Sequence, residues 1–152
     1  MRRSAESCVS QLAISAQDID AVTRAEGAEL DRRDRLYRGT RAAAPIAGRT
    51  VILVDDGLAT GATMEAAILA VRHMQPARIV VAAPVGAEET CQRLRGTADE
   101  VVCALTPEYF QAVGLWYEHF DQTSDGEVIE LLRRGTEWTE DTGSHGDTEA
   151  RR

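Results

Sequence analysis

The 152-residue sequence contains no lysine, so arginine supplies all 17 of its basic side chains. A chain without lysine cannot form a lysine Schiff base with a substrate, and it cannot hold a nucleotide through a P-loop lysine. Both of these enzyme mechanisms are therefore excluded.

Long apolar runs are also missing from the chain. No stretch approaches the ~20 apolar residues of a membrane-spanning helix, and residues 1–15 lack the apolar core of a secretion signal. The formal net charge of -8 argues against nonspecific nucleic-acid binding, which needs a basic surface to displace counterions from phosphates. We therefore expect a cytoplasmic protein that binds neither membranes nor nucleic acids.

Cysteine is scarce, and its three positions show no C-x-x-C pair or zinc-ligand spacing. Cys91 and Cys103 lie in apolar patterns, which favours buried thiols over a redox or metal role. We expect no metal site built from protein ligands alone.

The middle of the chain alternates between strand and helix patterns. The run Thr50–Val54 is continuously apolar or β-branched, which is typical of a parallel strand covered on both faces. Helical spacing follows from Gly61 to Pro76, a strand is predicted over 78–85, a short helix over 87–95, and a third strand over 100–105. This order predicts an α/β fold with a right-handed parallel sheet.

The flanking segments are more polar. Ser15 and Asp18 have the spacing of a capping box and predict a helix over 16–37, and another helix is predicted over 125–134. The residues after Gly135 have the composition of a disordered tail. We divide the chain into a helical arm and linker (1–48), an α/β domain (49–134) and a tail (135–152).

Residues 51–63, VILVDDGLATGAT, join a buried strand to two acids and then to a loop of small and hydroxyl residues. Ligands of open α/β sheets collect at the carboxyl ends of strands, and a helix N-terminus favours an anion. The loop therefore suits a phosphate. The acids repel a phosphate, so they suit a neutral, donor-rich group such as the vicinal hydroxyls of a ribose. The alternative interpretation is a strand that ends in solvated acids and a tight turn.

This stretch resembles the phosphoribosyl-diphosphate (PRPP) binding motif of type I phosphoribosyltransferases. The longer pattern, from LDRRDRLYRG through WYEHFDQTSDGEV, is similar to uncharacterised bacterial proteins of that family. The resemblance implies a parallel-sheet, Rossmann-like phosphoribosyltransferase core. It implies that Asp55 and Asp56 bind the ribose hydroxyls, where they also stabilise developing positive charge. The 5′-phosphate loop would consist of Ala59, Thr60, Gly61, Ala62 and Thr63.

The family resemblance also implies a reaction. A nitrogen acceptor, usually a nucleobase, displaces pyrophosphate from PRPP, with Mg²⁺ held mainly by ligand oxygens and water. The family places a pyrophosphate loop and early strands before the motif, and residues 1–48 show neither. We therefore expect a core that is incomplete or truncated at its N-terminal side. Three alternatives follow: an enzyme or enzyme fragment completed by a partner or as a homo-oligomer, a noncatalytic PRPP- or nucleotide-binding module, and a degenerate module without function.

Two further groups of residues leave alternatives open. Trp116, Tyr117 and Glu118 resemble the hood that contacts the base in purine-using relatives, although packing over the sheet is an equal alternative. The arginines near the end of the first helix suggest a cationic flap over pyrophosphate, but pairing with nearby acids on a solvated face is favoured. They are Arg32, Arg33, Arg35 and Arg38.

Overall fold

The computed structural model describes residues 14–143 of the chain. Its elements are, in order, α1 (Ala16–Arg38), β1 (Thr50–Val54), α2 (Ala62–Arg72), β2 (Arg78–Val85), α3 (Glu88–Leu94), β3 (Glu100–Leu105), a 3-10 turn (Val113–Trp116) and α4 (Asp125–Gly143). All three predicted strands have the predicted bounds. None of the described helices is both long enough and apolar enough to cross a membrane.

The described chain forms two compact units. One spans Ala44–Gln122, and the other comprises residues 14–43 and 123–143. The first unit contains the sheet, α2, α3 and the 3-10 turn, and the second contains α1 and α4. The helix that begins at Asp125 thus clusters with α1, whereas the sequence division had grouped it with the α/β domain.

The sheet of the first unit has the predicted parallel architecture. Its strand order is β1-β2-β3, and both neighbouring pairs are parallel. Two successive right-handed crossovers in the same direction bring both connecting helices to one face of the sheet. The core lies between that face and the helices. It contains Met64 and Ile68 of α2, Cys91 and Leu94 of α3, and the strand residues Ile79, Val81, Ala83 and Val101.

The expectation that β1 is covered on both faces is wrong for the described residues. Leu53 packs against the core, but Ile52 and Val54 on the other face are 62% and 73% exposed. Successive side chains of a strand point to opposite faces, so an unbroken apolar run makes both faces apolar without specifying what covers each. Val102 of β3 is 48% exposed on the same uncovered face.

The two helices of the second unit are joined by polar contacts. The capping box at the start of α1 is confirmed, since Ser15 and Asp18 exchange side-chain and backbone hydrogen bonds. Arg32 of α1 forms an ion pair of 3.0 Å with Asp125 of α4, and the Tyr37 hydroxyl donates to the same carboxylate. α4 continues to Gly143, nine residues beyond its predicted end, so the predicted tail begins as helix. The rest of that tail lies outside the described residues.

Candidate functional site

The acid pair lies directly after β1, at the carboxyl edge of the sheet. The Asp55 N–H donates to the Ala82 carbonyl at 3.2 Å, which continues the ladder to β2 by one residue. Asp55 is half-buried and its Oδ1 accepts from the Asp56 N–H at 3.0 Å, whereas Asp56 is exposed. Burial raises the pKa of Asp55 above its ordinary value, and the Asp56 N–H partly opposes this increase. Asp56 is therefore the more accessible carboxylate, and Asp55 lies at the base of the site.

Leu58 attaches the start of the following loop to the sheet. Its N–H donates to the Val85 carbonyl and its carbonyl accepts from the Ala87 N–H, both at 2.9 Å. Its side chain is only 1% exposed and belongs to the core. The loop therefore starts from a position that is fixed both by β2 and by core packing.

Residues 59–63, here called the phosphate loop, lead into the N-terminus of α2. Gly61 caps the helix in the left-handed region, with φ 70°, and has no side chain to bond the first turn, where only the Ala62 N–H donates to the Thr60 Oγ1, at 3.4 Å. Among the described residues, the backbone N–H groups of Thr60, Gly61 and Thr63 have no hydrogen-bond partner. Unpaired N–H groups at the positive end of a helix dipole favour an anion. Thr60 and Thr63 are exposed and add hydroxyl groups to the same loop.

The hood segment, defined as residues 113–120, contacts the turn between the acid pair and the loop. The Tyr117 hydroxyl donates to the Asp56 carbonyl at 2.6 Å. A side chain at Gly57 would lie 2.6 Å from a methyl group of Val113, so the backbone of the turn approaches this segment closely. The hood segment and the acid pair therefore form one connected site in this unit.

The three hood residues differ in their surroundings. The Tyr117 ring packs against Phe120 with a centroid distance of 5.2 Å, and its hydroxyl is already bonded to Asp56. Trp116 is 43% exposed, and Glu118 is exposed as well. Within the described chain, neither of them hydrogen-bonds to the acid pair or the phosphate loop. Trp116 and Glu118 are thus the hood residues whose polar groups remain available to a ligand.

The arginine-rich end of α1 is engaged by carboxylates and a carbonyl of its own unit. Glu29 accepts from both Arg32 and Arg33, and Asp34 pairs with Arg38 at 2.6 Å. Arg35 donates to the Asp31 carbonyl. This arrangement agrees with the favoured interpretation of a solvated helix face with internal ion pairs.

Sequence patterns alone did not identify several residues that shape the site. Four such residues contact the acid turn or the phosphate loop: Leu58, Thr90, Arg93 and Val113. The last three lie at least 30 residues away from their contacts along the chain. Leu58 had a visible signal, because it is the one large apolar residue within the loop sequence. The other three carry no local signal, since α3 is short and the hood segment has no regular period.

The fold and the site define an α/β domain with a loop suited to an anion at the carboxyl edge of a parallel sheet. The family model described as "Phosphoribosyl transferase domain" matches residues 3–117. The chain belongs to this family.

Relatives of the chain agree with this assignment. It is 45% identical over 121 residues to two proteins of Mycobacterium tuberculosis, from strains H37Rv and CDC 1551, which are named "Putative phosphoribosyl transferase". The match covers 80% of this chain, and the chain spans only about a quarter (27%) of each relative. The crystal structure of TT1426 from Thermus thermophilus superposes with a TM-score of 0.69 at 40% identity, covering 81% of this chain and 59% of that one.

Proposed function

We propose that this domain binds PRPP and transfers its phosphoribosyl group to a nitrogen acceptor, a nucleobase, with release of pyrophosphate. The observation that carries the proposal is the combination of an accessible carboxylate, Asp56, with a nearby helix N-terminal loop in which three N–H groups, those of Thr60, Gly61 and Thr63, are unpaired among the described residues. Asp55 and Asp56 accept from the two ribose hydroxyls, and residues 59–63 donate to the 5′-phosphate. Each part of the site thus meets the part of PRPP that complements it in charge and in hydrogen bonding.

The role of each residue follows from its chemistry. A transition state with oxocarbenium character places positive charge on the ribose, and the two carboxylates are positioned beside that ring to stabilise it. Holding both the phosphate and the hydroxyls restricts the sugar to one orientation for the attacking nitrogen. Trp116 and Glu118 would contact the base, the first by stacking and the second by accepting from an exocyclic amine.

Mg²⁺ is the metal that this chemistry would use. The described residues contain no group of three or more His, Cys, Asp or Glu side chains arranged to hold a metal ion. A pair of carboxylates without further protein ligands suits Mg²⁺, which keeps several waters and binds through substrate phosphates together with one or two carboxylates. Asp55 and Asp56 are the carboxylates that would contact it or its waters. When bound, the ion would screen the charge of the departing pyrophosphate.

A noncatalytic PRPP- or nucleotide-binding module is the second candidate. The observation that favours it is that the described residues before β1 form the helix α1 and no strand. Among them, no strand-and-loop segment is present to bind a pyrophosphate group. This candidate binds PRPP at the same site but releases no pyrophosphate.

Calorimetric titration of the chain with PRPP and Mg²⁺ tests the proposal. Asp56→Asn keeps the shape of this exposed side chain and removes its charge, so PRPP affinity should fall by about tenfold or more. Asp121→Asn, a change at another exposed acid of the same unit, is the matched control and should leave affinity unchanged. A parent chain that does not bind PRPP, or equal affinities for the two variants, would contradict the proposal.

A pyrophosphate-release assay with individual nucleobases then separates the two candidates. Release that depends on one base supports the transferase and identifies its acceptor. Saturable PRPP binding without release from any base supports the noncatalytic module.

A further inference from the structure

Two side chains of α3 donate hydrogen bonds to consecutive backbone carbonyls of the phosphate loop. The Thr90 hydroxyl donates to the Ala59 carbonyl at 2.7 Å, and the Arg93 guanidinium donates to the Thr60 carbonyl. Thr90 is only 4% exposed, so its hydroxyl is directed into the protein rather than toward solvent. Both bonds join segments more than 30 residues apart in the chain.

These two bonds determine the direction in which the loop presents its donors. All described peptide bonds are trans, and in a planar trans peptide the carbonyl and the following N–H point to opposite sides. Because α3 binds the carbonyls of Ala59 and Thr60, the N–H groups of Thr60 and Gly61 point away from α3. Both N–H groups are among those without a partner in the described chain. Gly61 permits the close approach, since a side chain there would lie 2.6 Å from Thr90 Cγ2.

Arg93 also faces a buried acid beneath the loop. Glu65, in the first turn of α2, is 7% exposed, and its Oε2 has no hydrogen-bond partner among the described residues. The nearest cation is the Arg93 side chain, whose Nε lies 4.0 Å from that oxygen. A carboxylate behind an anion site repels the anion unless a cation offsets its charge. Arg93 therefore both orients a loop peptide and neutralises Glu65.

We infer that Thr90 and Arg93 are positioning residues for the 5′-phosphate, acting through the peptide groups of the phosphate loop. Neither side chain needs to contact the ligand. This inference rests on the proposed function, because it takes the phosphate loop as the site of the ribose 5′-phosphate. Substitution of either residue should weaken phosphate binding without removing any group that touches the phosphate.

The test for Thr90 uses the full chain with ribose 5-phosphate as the probe. In Thr90→Val, which keeps the side-chain shape but loses the donor, affinity should fall about tenfold. Thr90→Ser keeps the hydroxyl, so its affinity should stay near the parent value. Thr97→Val is the matched control, because the Thr97 hydroxyl also donates to a backbone carbonyl, that of Leu94, at 3.1 Å but outside the loop. It should leave affinity unchanged.

Phosphorus NMR supplies a readout that a purely structural role would not change. Well-directed N–H donors favour the dianion, so the second pKa of the bound phosphate should lie below its ordinary value of about 6. In Thr90→Val this pKa should move back toward that value, and in Thr90→Ser it should match the parent.

The test for Arg93 uses its pairing with Glu65. Arg93→Gln should weaken ribose 5-phosphate binding more than Thr90→Val does, because it also leaves the Glu65 carboxylate uncompensated. The double variant Glu65→Gln, Arg93→Gln removes that charge and should recover part of the loss. Arg72→Gln is the matched control: Arg72 likewise bonds to a carbonyl, that of Thr97, and to a carboxylate, that of Asp99, away from the loop.

The outcomes distinguish this inference from the proposed function. If the parent chain binds neither PRPP nor ribose 5-phosphate, both fail. If the parent binds and Asp56→Asn weakens PRPP binding, but Thr90→Val and Arg93→Gln bind ribose 5-phosphate like their controls, only the inference fails. A lower Tm for Thr90→Val with unchanged affinity of the folded protein would show a purely structural residue and would overturn the inference as well.

Discussion

The Tyr117 hydroxyl donates a 2.6 Å hydrogen bond to the main-chain carbonyl of Asp56, 61 residues earlier in the chain. The bond joins the hood segment to the turn that carries the acid pair. Because it engages the backbone of Asp56, it leaves that residue's carboxylate available to a ligand. The position of the hood and the position of the acid pair are therefore coupled.

Tyr117→Phe tests this coupling. The substitution removes only the hydroxyl and leaves the Asp56 carbonyl to water, so the free energy of unfolding should fall by about 1 kcal/mol and PRPP affinity by a few-fold. Urea denaturation and calorimetric titration measure the two effects. Tyr109→Phe, at a tyrosine that is 81% exposed, is the matched control. Identical behaviour of the two variants would show that the bond contributes nothing.

Gly61→Ala should destabilise the protein more than Gly48→Ala does. Both glycines have φ 70°, where a side chain is strained, at a cost of about 1 kcal/mol. An added Cβ at Gly48 meets nothing within 4 Å, but at Gly61 it meets Thr90 Cγ2 at 2.6 Å. Crowding should add about 1–3 kcal/mol at Gly61. Denaturant midpoints of the two variants measure the difference, and equal midpoints would contradict the tight packing of the loop on α3.

Asp55→Asn should stabilise the protein at neutral pH while impairing ligand binding. Burial raises the pKa of Asp55 in the folded state above the ordinary value of 3.8, so the ionised form opposes folding. That penalty is absent below pH 3.8 and develops as the pH rises through the folded-state pKa. Asp55→Asn should therefore raise the free energy of unfolding at pH 7, by less than about 1 kcal/mol, with the gain vanishing toward pH 3.8.

The free energy of unfolding of Asp99→Asn, measured over the same pH range, should change in the opposite direction. The pKa of Asp99 is lowered, chiefly by the Ile79 N–H that donates to it at 2.7 Å. Its stabilising effect is present above pH 3.8 and is lost as the pH falls through the lower folded-state pKa. Asp99→Asn should therefore destabilise the protein at pH 7. A stability gain in both variants would contradict these assignments.

Cys103 should resist alkylation in the folded protein. Burial and, to a lesser degree, the neighbouring Cys91 thiol raise the pKa of the Cys103 thiol to about 12. The thiolate is the reactive form, so at pH 8 the folded protein should react at Cys103 at least about a hundredfold more slowly than the unfolded chain. Mass spectrometry of iodoacetamide-treated protein measures both rates peptide by peptide. Equal rates would show that the thiol is accessible and ionised.

Much of the α/β unit was predictable because its signals are local. An unbroken apolar run identified β1, and helical spacing identified α2. In the other unit, a capping box at Ser15 identified the start of α1. The acid pair and the phosphate loop were identifiable because strand, acids and loop are contiguous in the chain. Their roles toward PRPP remain predictions. The uncovered face of β1 was not predictable, since Ile52 and Val54 have the same apolar character as a residue in the core.

The sequence by itself determined the order of strands and helices, the parallel sheet and the motif at the end of β1. These depend on periodicity and on neighbouring residues, which the chain displays directly. Only the tertiary structure decided which distant side chains hold the motif in place: Thr90 and Arg93 on the loop carbonyls, and Tyr117 on Asp56. Single hydrogen bonds between segments 31 to 61 residues apart leave no pattern in the sequence, because folding alone brings their donors and acceptors together.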